Sequence, residues 1–224
     1  MSEEITIYSP YKRLQNFWGE DWVVDIPQKI RDYLLLLPTK ECPNPILGNE
    51  NPRARFVKYL YYDDPNPLSY AVPSVKDRLD IIFDPYKPDN PPNKEKGYRI
   101  FTQSNTAQAN VRGNTILRIV MGKGLANDPF SITYGIHFQI LSNYSLEAST
   151  RTTVLSRTFA IEEAIIEALN GVNMDGVGTF MIDRRSHTDN GSKPISDDQE
   201  FLGRLLTMSI ETKVTGSGVE ISNY

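Results

Sequence analysis

The sequence predicts an α+β fold: a mixed or antiparallel β-sheet flanked by an N-terminal helix and one long helix. Apolar and polar residues alternate from Ser131 to Leu141, which is the period-two pattern of a strand with one buried face. A helical pattern follows from about Thr150 to Asn170, and two more alternating runs come after it, Val177 to Arg184 and Arg204 to Val214. This order of strand, helix, strand and strand defines the last third of the chain.

The predicted long helix is amphipathic. Glu162, Glu163 and Glu167 mark its solvent-exposed face. Its apolar stripe recurs at helical spacing over Leu155, Phe159, Ile161, Ile165, Ile166 and Leu169. Asn170 and Gly171 supply the stop, because glycine readily adopts the left-handed conformation that ends a helix. We expect the stripe to lie against the sheet, so that Ile166→Asp unfolds the domain.

A shorter amphipathic helix is predicted near the start, from Asp25 to Leu37. Asp25 is a candidate N-cap and Pro27 tolerates the first helical turn, while Pro38 ends the apolar repeat. Between this helix and the strand predicted from Ser131, the sequence offers four further strand candidates, namely Arg55 to Tyr62, Leu79 to Phe83, Tyr98 to Thr102 and Thr115 to Met121. Gly122-Lys123-Gly124 is predicted to form a turn.

The expected organisation is a single α+β domain over residues 25–215. An N-terminal aromatic arm, 1–24, precedes it and a flexible tail, 216–224, follows it. Stretches rich in proline, asparagine and glycine predict loops inserted at 38–52, 84–97 and 186–200. The polar segment Gln103 to Asn114 is a further loop expected to order on a partner.

The charge and the distribution of apolar residues argue against several classes of function. The formal charge is −4 and the pI is about 5.3, which argues against sequence-independent nucleic-acid binding through clustered lysines and arginines. The longest uninterrupted apolar run, Leu34 to Leu37, is far shorter than the roughly 20 residues of a membrane span. Glu3 and Glu4 stand where a secretory signal would be basic, so residence in the cytoplasm is expected.

The sequence holds no recognisable catalytic motif, and neither an enzymatic activity nor a cofactor is expected. The single cysteine, Cys42, has no nearby histidine as a catalytic partner, and neither His137 nor His187 has another ligand at metal-binding spacing. Gly122-Lys123-Gly124 lacks the remaining residues of a phosphate-binding loop. Binding of a divalent cation by Asp77, Asp80 and Asp84 stays open, because hard carboxylate oxygens suit such ions.

Two groups of residues are candidates for a protein interface. Aromatic residues and arginine are enriched at interface centres, and an aromatic cluster precedes the first predicted helix. Two arginines and an asparagine stand near the predicted loop at 186–200. The candidate interface residues are Tyr8, Tyr11, Phe17, Trp18, Trp22, Arg184, Arg185 and Asn190.

The order of elements resembles the tail terminator, or tail-completion, proteins of long-tailed bacteriophages. The likeness lies in Ile132 to Ile140, Phe159 to Leu169 and Leu205 to Val214, and more loosely in the N-terminal helix. The resemblance implies a structural virion protein at the head–tail junction: a homo-oligomeric ring, expected to be a hexamer, that caps the tail tube and ends its polymerisation. It also implies contacts with the tail-tube protein and with neck, connector or sheath proteins, and a lumen through which DNA passes without specific binding.

Three alternatives remain. The insertions at 38–52 and 84–97 make the chain longer than compact terminators, so another neck or connector subunit is one alternative. A divalent-metal-dependent enzyme or nuclease that uses Asp77, Asp80 and Asp84 is a second. A nucleic-acid-binding module that relies on Arg184 and Arg185 is the third.

Overall fold

The computed structural model describes residues 20–37, 51–102, 112–128, 131–149, 156–174, 177–182, 191–197 and 200–213. The helices within this part of the chain are α1 (Glu20–Leu35), α2 (Pro52–Tyr61), α3 (Val75–Asp80), α4 (Tyr144–Ser149) and α5 (Arg157–Leu169). The strands are β1 (Tyr98–Phe101), β2 (Arg112–Asp128), β3 (Ser131–Asn143), β4 (Asn173–Met174), β5 (Gly178–Met181), β6 (Gly191–Asp197) and β7 (Phe201–Lys213).

The seven strands form one mixed sheet with the order β1-β2-β3-β7-β5-β4, and β6 pairs with β7 beside β5. Only the β1–β2 pair is parallel among the described strands. The central strand β3 pairs with β7 along its whole length, from Ser131 opposite Lys213 to Asn143 opposite Phe201. The chain is therefore an α+β protein, as the sequence predicts.

Helices α1, α2 and α5 cover one face of this sheet. The alternation in β3 places Ile136, Phe138 and Ile140 on the covered face, and each is at most 1% exposed. The core that they share with the helices also includes Ile26, Ile30, Leu34, Phe56, Val57, Leu60, Ile161, Ile165, Leu169, Leu206, Met208 and Ile210. Burying one such side chain stabilises the fold by about 1.5 to 3 kcal/mol.

A second, smaller core lies at one end of the opposite face. It consists of Tyr98, Phe101, Ile116, Leu141 and Phe201, with Phe83 and Ile195 packed against it. The ring of Phe83 lies 5.3 Å from that of Tyr98 and 5.0 Å from that of Phe101, centroid to centroid. This cluster attaches the chain around residue 83 to the end of the sheet.

Several predicted elements are confirmed. The strand predicted from Ser131 is β3, the run from Arg204 lies in β7, and the run from Tyr98 is β1. The long helix ends as expected, because Asn170 follows its last turn and Gly171 has a φ of +80°. Turns and bends, without a helix or strand, occupy the predicted loop over residues 84–97.

The strand predicted from Arg55 to Tyr62 is wrong, because this segment is helix α2. The Asn51 side chain accepts a hydrogen bond from the amide of Arg53 at 2.9 Å, and Pro52 occupies the first turn. A capping asparagine followed by proline at the first helical position is a helix-start signal that outweighs the short aromatic alternation after it.

Two further predictions in the middle of the chain are wrong. Most of the run from Leu79 to Phe83 is not a strand: α3 extends to Asp80, and only Ile82 makes an isolated parallel bridge, to Ile100. Gly122-Lys123-Gly124 is not a turn, since β2 continues through it to Asp128 with a shift of register. The glycines allow a bulge here, so the strand bends without ending.

The boundaries of both main helices also differ from those predicted. Helix α1 begins at Glu20, so Asp25 and Pro27 lie within it and the expected arm boundary at 24 falls inside a helix. Apolar residues continue at helical spacing upstream to Trp22, which accounts for the earlier start. The described part of the long helix begins at Arg157, where Ser156 is the N-cap; residues 150–155 lie outside the described residues.

The loop predicted at 186–200 contains a strand. Residues 191–197 form β6, which pairs with β7 from Gly191 opposite Thr207 to Asp197 opposite Phe201. The backbone amides and carbonyls of this polar segment find hydrogen-bond partners in β7. The composition of the segment alone does not predict this pairing.

Of the loop predicted at 38–52, residues 38–50 lie outside the described residues, and Pro52 already belongs to α2. Of the loop predicted from Gln103 to Asn114, residues 103–111 lie outside the described residues, and Arg112 to Asn114 belong to β2. The expected tail at 216–224 also lies outside them.

None of the described helices combines the length and the apolar character required to cross a bilayer.

Candidate functional site

The most distinctive surface feature is a partly exposed cluster of tyrosines at the end of α2. Tyr61 is the last residue of that helix and Tyr62 is its C-cap. The chain then passes through a short 3-10 turn, Pro67–Ser69, and returns with Tyr70, which is 43% exposed. We call Tyr61, Tyr62, Tyr70 and the adjacent Lys96 the tyrosine surface.

The rings of the tyrosine surface are in direct contact. Tyr62 stacks on Tyr70, with centroids 4.6 Å apart and ring planes at 21°, and meets Tyr61 edge-on at 5.1 Å and 84°. The ammonium of Lys96 lies 5.1 Å from the centroid of Tyr61 and 6.0 Å from that of Tyr62. Offset stacks, edge contacts and cation–π contacts each add to the stability of such a cluster.

Hydrogen bonds fix two of the phenols. The hydroxyl of Tyr62 donates to the carbonyl of Ala71 at 2.8 Å, and that of Tyr70 donates to Oδ2 of Asp64 at 3.1 Å. Asp64 is itself held, because its Oδ1 accepts from the amide of Asn66 at 2.7 Å. The rings are therefore oriented before any partner binds, which lowers the entropic cost of binding.

The tyrosines remain neutral over a wide range of pH. Burial raises the pKa of Tyr61 and of Tyr62, and the negative charge of Asp77 raises both further. The hydrogen bond to Asp64 raises the pKa of Tyr70. A neutral phenol can both donate and accept a hydrogen bond, so the surface combines apolar rings with polar tips.

Two buried arginines hold the end of α2 beneath this surface. Arg99 in β1 donates to the carbonyls of Leu60, at 2.7 Å, and Tyr61, at 3.1 Å, and forms a two-pronged ion pair with Asp63. The two terminal guanidinium nitrogens of Arg99, Nη1 and Nη2, form that pair, at 2.9 and 2.5 Å. The last carbonyls of a helix have no hydrogen-bond donor within the helix, and Arg99 donates to them here.

Arg157, the first residue of α5, completes this arrangement. It donates to the carbonyls of Tyr59 at 2.6 Å and Tyr62 at 2.9 Å, and also to that of Asp64. Burial lowers the pKa of Arg157, and the nearby positive charge of Arg99 lowers it further, whereas Asp63 acts in the opposite direction. The backbone that carries the tyrosine surface is thus bound to the sheet and to α5.

A second exposed aromatic residue lies in the loop after α3. Tyr86 is 93% exposed, yet its backbone is held: its amide donates to Oδ1 of Asp84 at 2.9 Å, and the amide of Lys87 donates to the carbonyl of Asp84 at 3.1 Å. The hydroxyl of Tyr98, in the smaller core, donates to the carbonyl of Lys87 at 2.7 Å. The loop therefore presents a large aromatic side chain on an ordered turn.

The sheet face opposite the helices is largely polar. On it, the ring nitrogen Nδ1 of His137 lies 2.9 Å from the hydroxyl of Thr207 in the adjacent strand. The other ring nitrogen lies over Gly122, where an added Cβ would be 2.5 Å from it. His137 thus occupies the polar side of β3 as predicted, and Gly122 provides the space that its ring fills.

Most of the residues predicted as interface candidates lie outside the described residues. This holds for Tyr8, Tyr11, Phe17, Trp18, Arg184, Arg185 and Asn190. Trp22 belongs to α1, but its side chain is not described. The structure brings none of these side chains into a described site, and their role stays a prediction.

The carboxylates of Asp77, Asp80 and Asp84 do not form a described cation site. Asp77 accepts from the hydroxyl of the helix-capping Ser74 at 2.6 Å, and Asp84 accepts from the amide of Tyr86. In the part of the chain that the structure describes, no group of three or more histidine, cysteine, aspartate or glutamate side chains is arranged to hold a metal ion. The alternative of a metal-dependent enzyme gains no support from these residues.

The sequence pattern did not predict the tyrosine surface. It favoured a strand from Arg55 to Tyr62, and in a strand adjacent tyrosines point to opposite faces. The signal that could have revealed it is Asn51-Pro52, which starts a helix and brings the tyrosines to its end.

Comparisons of the chain with known protein families, with curated proteins and with solved structures found no match.

Proposed function

We propose that this chain is a structural virion protein at the head–tail junction of a long-tailed bacteriophage. Copies of it form a homo-oligomeric ring, expected to be a hexamer, that caps the tail tube, ends its polymerisation and joins the tail to the head connector. Its partners are other copies of itself, the tail-tube protein, and neck, connector or sheath proteins. Its activity is assembly, without a chemical step or a cofactor.

The tyrosine surface is the observation that carries the assembly part of this proposal. Tyrosine is among the residues that dominate binding energy at protein interfaces, and it does so most effectively when its ring is already oriented. Here three rings are in contact, hydrogen bonds anchor two of them, and the backbone around them is held by Arg99 and Arg157. An arrangement of this kind on an exposed surface favours a docking role.

The placement in a phage virion rests on the resemblance of three segments of sequence. Those segments fall in β3, α5 and β7, which are neighbours: β3 pairs with β7 along its length, and α5 packs on both strands. The net charge of −4 is compatible with a ring lumen that lets DNA pass without retaining it.

Electron microscopy and mass measurement of the purified chain test the proposal. We expect annular particles, together with a solution mass by light scattering of about six times the 25.4 kDa of one chain. Addition of the particles to a polymerising tail-tube protein should shorten the tubes, because a capped end no longer accepts subunits. A chain that stays a single copy at all concentrations and leaves tube length unchanged would contradict the proposal.

A further inference from the structure

Carboxylates surround the tyrosine surface. The hydroxyl of Tyr70 donates to Oδ2 of Asp64 at 3.1 Å, so this carboxylate lies at the tip of the ring. Burial raises the pKa of the other two tyrosines, and the negative charge of Asp77 raises both further. The charge of Asp80 also raises the pKa of Tyr61. Three aspartates therefore lie within electrostatic range of the three rings.

These aspartates have no ionic partner in the part of the chain that the structure describes. There, no basic side chain forms an ion pair with Asp64, Asp77 or Asp80. The two arginines beneath the surface are fully buried, and Asp63 pairs with the one in β1. The tyrosine surface and its rim thus present three carboxylates and one ammonium, which is an arrangement complementary to a cation.

The chain itself places one cation on these rings. The ammonium of Lys96 lies 5.1 Å from the ring centroid of Tyr61 and 6.0 Å from that of Tyr62, as in other cation–π contacts. No described cation lies over Tyr70, although Tyr70 is the most exposed of the three. One face of Tyr70 stacks on Tyr62, so the other face can accept a further cation.

A guanidinium suits this position better than an ammonium. Its plane can stack on a phenol ring while its N–H groups donate to a carboxylate, whereas an ammonium is compact and strongly hydrated. A carboxylate offers about four lone-pair sites. Asp64 uses two of them in the described structure, for the hydroxyl of Tyr70 and the amide of Asn66. One arginine side chain can therefore contact the ring and the carboxylate together.

We propose that the tyrosine surface binds an arginine of a neighbouring protein, with the guanidinium over Tyr70 and its N–H groups directed at Asp64. The inference rests on the proposed function, in which this surface is a contact of the assembly, and it names what the contact binds: a basic protein segment with an arginine at its centre. The aspartates attract such a segment and repel an acidic one, so they also select the partner.

Labelled peptides test the chemistry of the partner. Four peptides of equal length carry arginines, lysines, citrullines or glutamates separated by glycines. Fluorescence anisotropy measures their binding at low ionic strength, at a chain concentration where sedimentation detects single copies, so that no neighbour occupies the surface. We expect the arginine peptide to bind about tenfold more tightly than the citrulline peptide, which has a similar shape without the charge.

The other two peptides complete the series. The lysine peptide should bind several-fold more weakly than the arginine peptide, because the ammonium cannot stack and is harder to dehydrate. The glutamate peptide should not bind. If the arginine peptide binds no more tightly than the citrulline or the glutamate peptide, the inference is overturned.

Substitutions show whether the arginine peptide binds at the tyrosine surface. Tyr70→Ala removes the ring and Asp64→Asn removes the charge, and each should weaken binding about tenfold. Tyr70→Phe keeps the ring and should bind nearly as the wild type does. The matched controls are Tyr144→Ala and Glu200→Gln, an exposed tyrosine and an exposed glutamate joined by a backbone hydrogen bond of 2.9 Å. Controls that lose as much affinity as Tyr70→Ala overturn the inference.

The assembly assay separates failure of this inference from failure of the proposed function. Because the four peptides are compared on the wild-type chain, a variant that does not fold leaves that comparison intact. A chain that forms rings but does not prefer the arginine peptide overturns the inference and leaves the proposed function standing. A chain that forms no ring and leaves tube length unchanged contradicts the proposed function, whatever the peptides do.

Discussion

Three buried arginines hold together parts of the molecule that are distant in sequence. Arg78, Arg99 and Arg157 are each 0% exposed, and each donates to backbone carbonyls at or just beyond the end of a helix. Arg78 donates to the carbonyls of Leu35 and Leu37 at the end of α1. Arg99 and Arg157 donate to carbonyls at the end of α2. A guanidinium carries five donors in a rigid fork, so one side chain can satisfy several carbonyls.

Replacement of Arg157 tests this role. Arg157→Met keeps an apolar stem but leaves the carbonyls of Tyr59, Tyr62 and Asp64 without their donor. We expect the free energy of unfolding to fall by about 3 kcal/mol, because buried acceptors lose their partner. Denaturant unfolding followed by circular dichroism measures the change. Arg157→Lys, which keeps the charge without the fork, should show an intermediate loss.

A matched control for Arg157 is the exposed ion pair between Arg55 and Glu167. Glu167 is 48% exposed in that pair, and exposed pairs contribute about 1 kcal/mol or less. Glu167→Gln should therefore change stability far less than Arg157→Met. Equal effects of the two substitutions would contradict the capping role.

The buried phenol of Tyr134 makes stability depend on pH in the alkaline range. Burial raises its pKa from 10 to about 12. Below pH 10 the phenol is neutral in both the folded and the unfolded chain. As the pH rises from 10 to 12, the unfolded chain loses this proton first, so the free energy of unfolding falls.

Tyr134→Phe should flatten this decline. The variant cannot ionise at position 134, so its stability relative to the wild type should be greater at about pH 11 than at about pH 9. Some decline should remain, because the pKa values of Tyr61, Tyr62 and Tyr98 are also raised. Denaturant unfolding of both proteins at the two pH values measures the difference, and parallel pH profiles would refute the assignment.

At the scale of elements, α5 connects the sheet to the edge hairpin formed by β6 and β7. Its buried residues Ile161 and Ile165 face the core, while Glu162 accepts from the guanidinium of Arg204 in β7 and from the hydroxyl of Ser192 in β6, the latter at 2.8 Å. Arg204 also lies 5.1 Å from the ring centroid of Phe159. The prediction that Glu162 lies on the solvent-exposed face is wrong, because β6 and β7 cover it and supply its partners. The helix thus contributes an apolar face to the core and a buried carboxylate to the hairpin.

Two adjacent positions on α5 distinguish its core face from its flank. Ile165 is 0% exposed and Ile166 is only partly buried, although the sequence pattern includes both in the stripe. Ile165→Asp should cost more than about 4 kcal/mol, because it places a carboxylate in the core without a partner. Ile166→Asp should cost much less, contrary to the expectation from the sequence alone. Thermal unfolding compares the two, and equal losses would contradict the orientation of α5.

Elements with a long uninterrupted period were predicted correctly from the sequence, whereas only some of the short ones were. Alternation over Ser131 to Leu141 identified β3, because every second side chain meets the same core. Arg55 to Tyr62 was misassigned because eight residues do not separate a short helix from a strand, and the start signal at Asn51 decides between them. The buried arginines and the tyrosine surface depend on contacts between distant segments, which no local pattern encodes.

At the scale of the whole molecule, the proposed assembly role requires surfaces that contribute to assembly and little to folding. Tyr70 meets this description, since it is 43% exposed, its ring stacks on Tyr62 at the surface, and its hydroxyl donates to Asp64. Deeply buried residues such as Phe138 do not, because their replacement would unfold the chain. The distinction allows assembly and stability to be measured separately.

Tyr70→Ala should therefore weaken assembly and leave the subunit intact. Loss of one oriented ring from an interface costs about 1.4 to 2.8 kcal/mol, which corresponds to about a ten- to hundredfold weaker association between copies. Sedimentation over a range of concentrations measures that change, and the melting temperature of the single copy should fall only slightly, because the stack on Tyr62 and the hydrogen bond to Asp64 lie at the surface. Tyr144→Ala is the matched control, because Tyr144 is 56% exposed and lies outside the tyrosine surface. If both variants associate as the wild type does, the tyrosine surface is not a contact between copies, and the ring must be built from other surfaces.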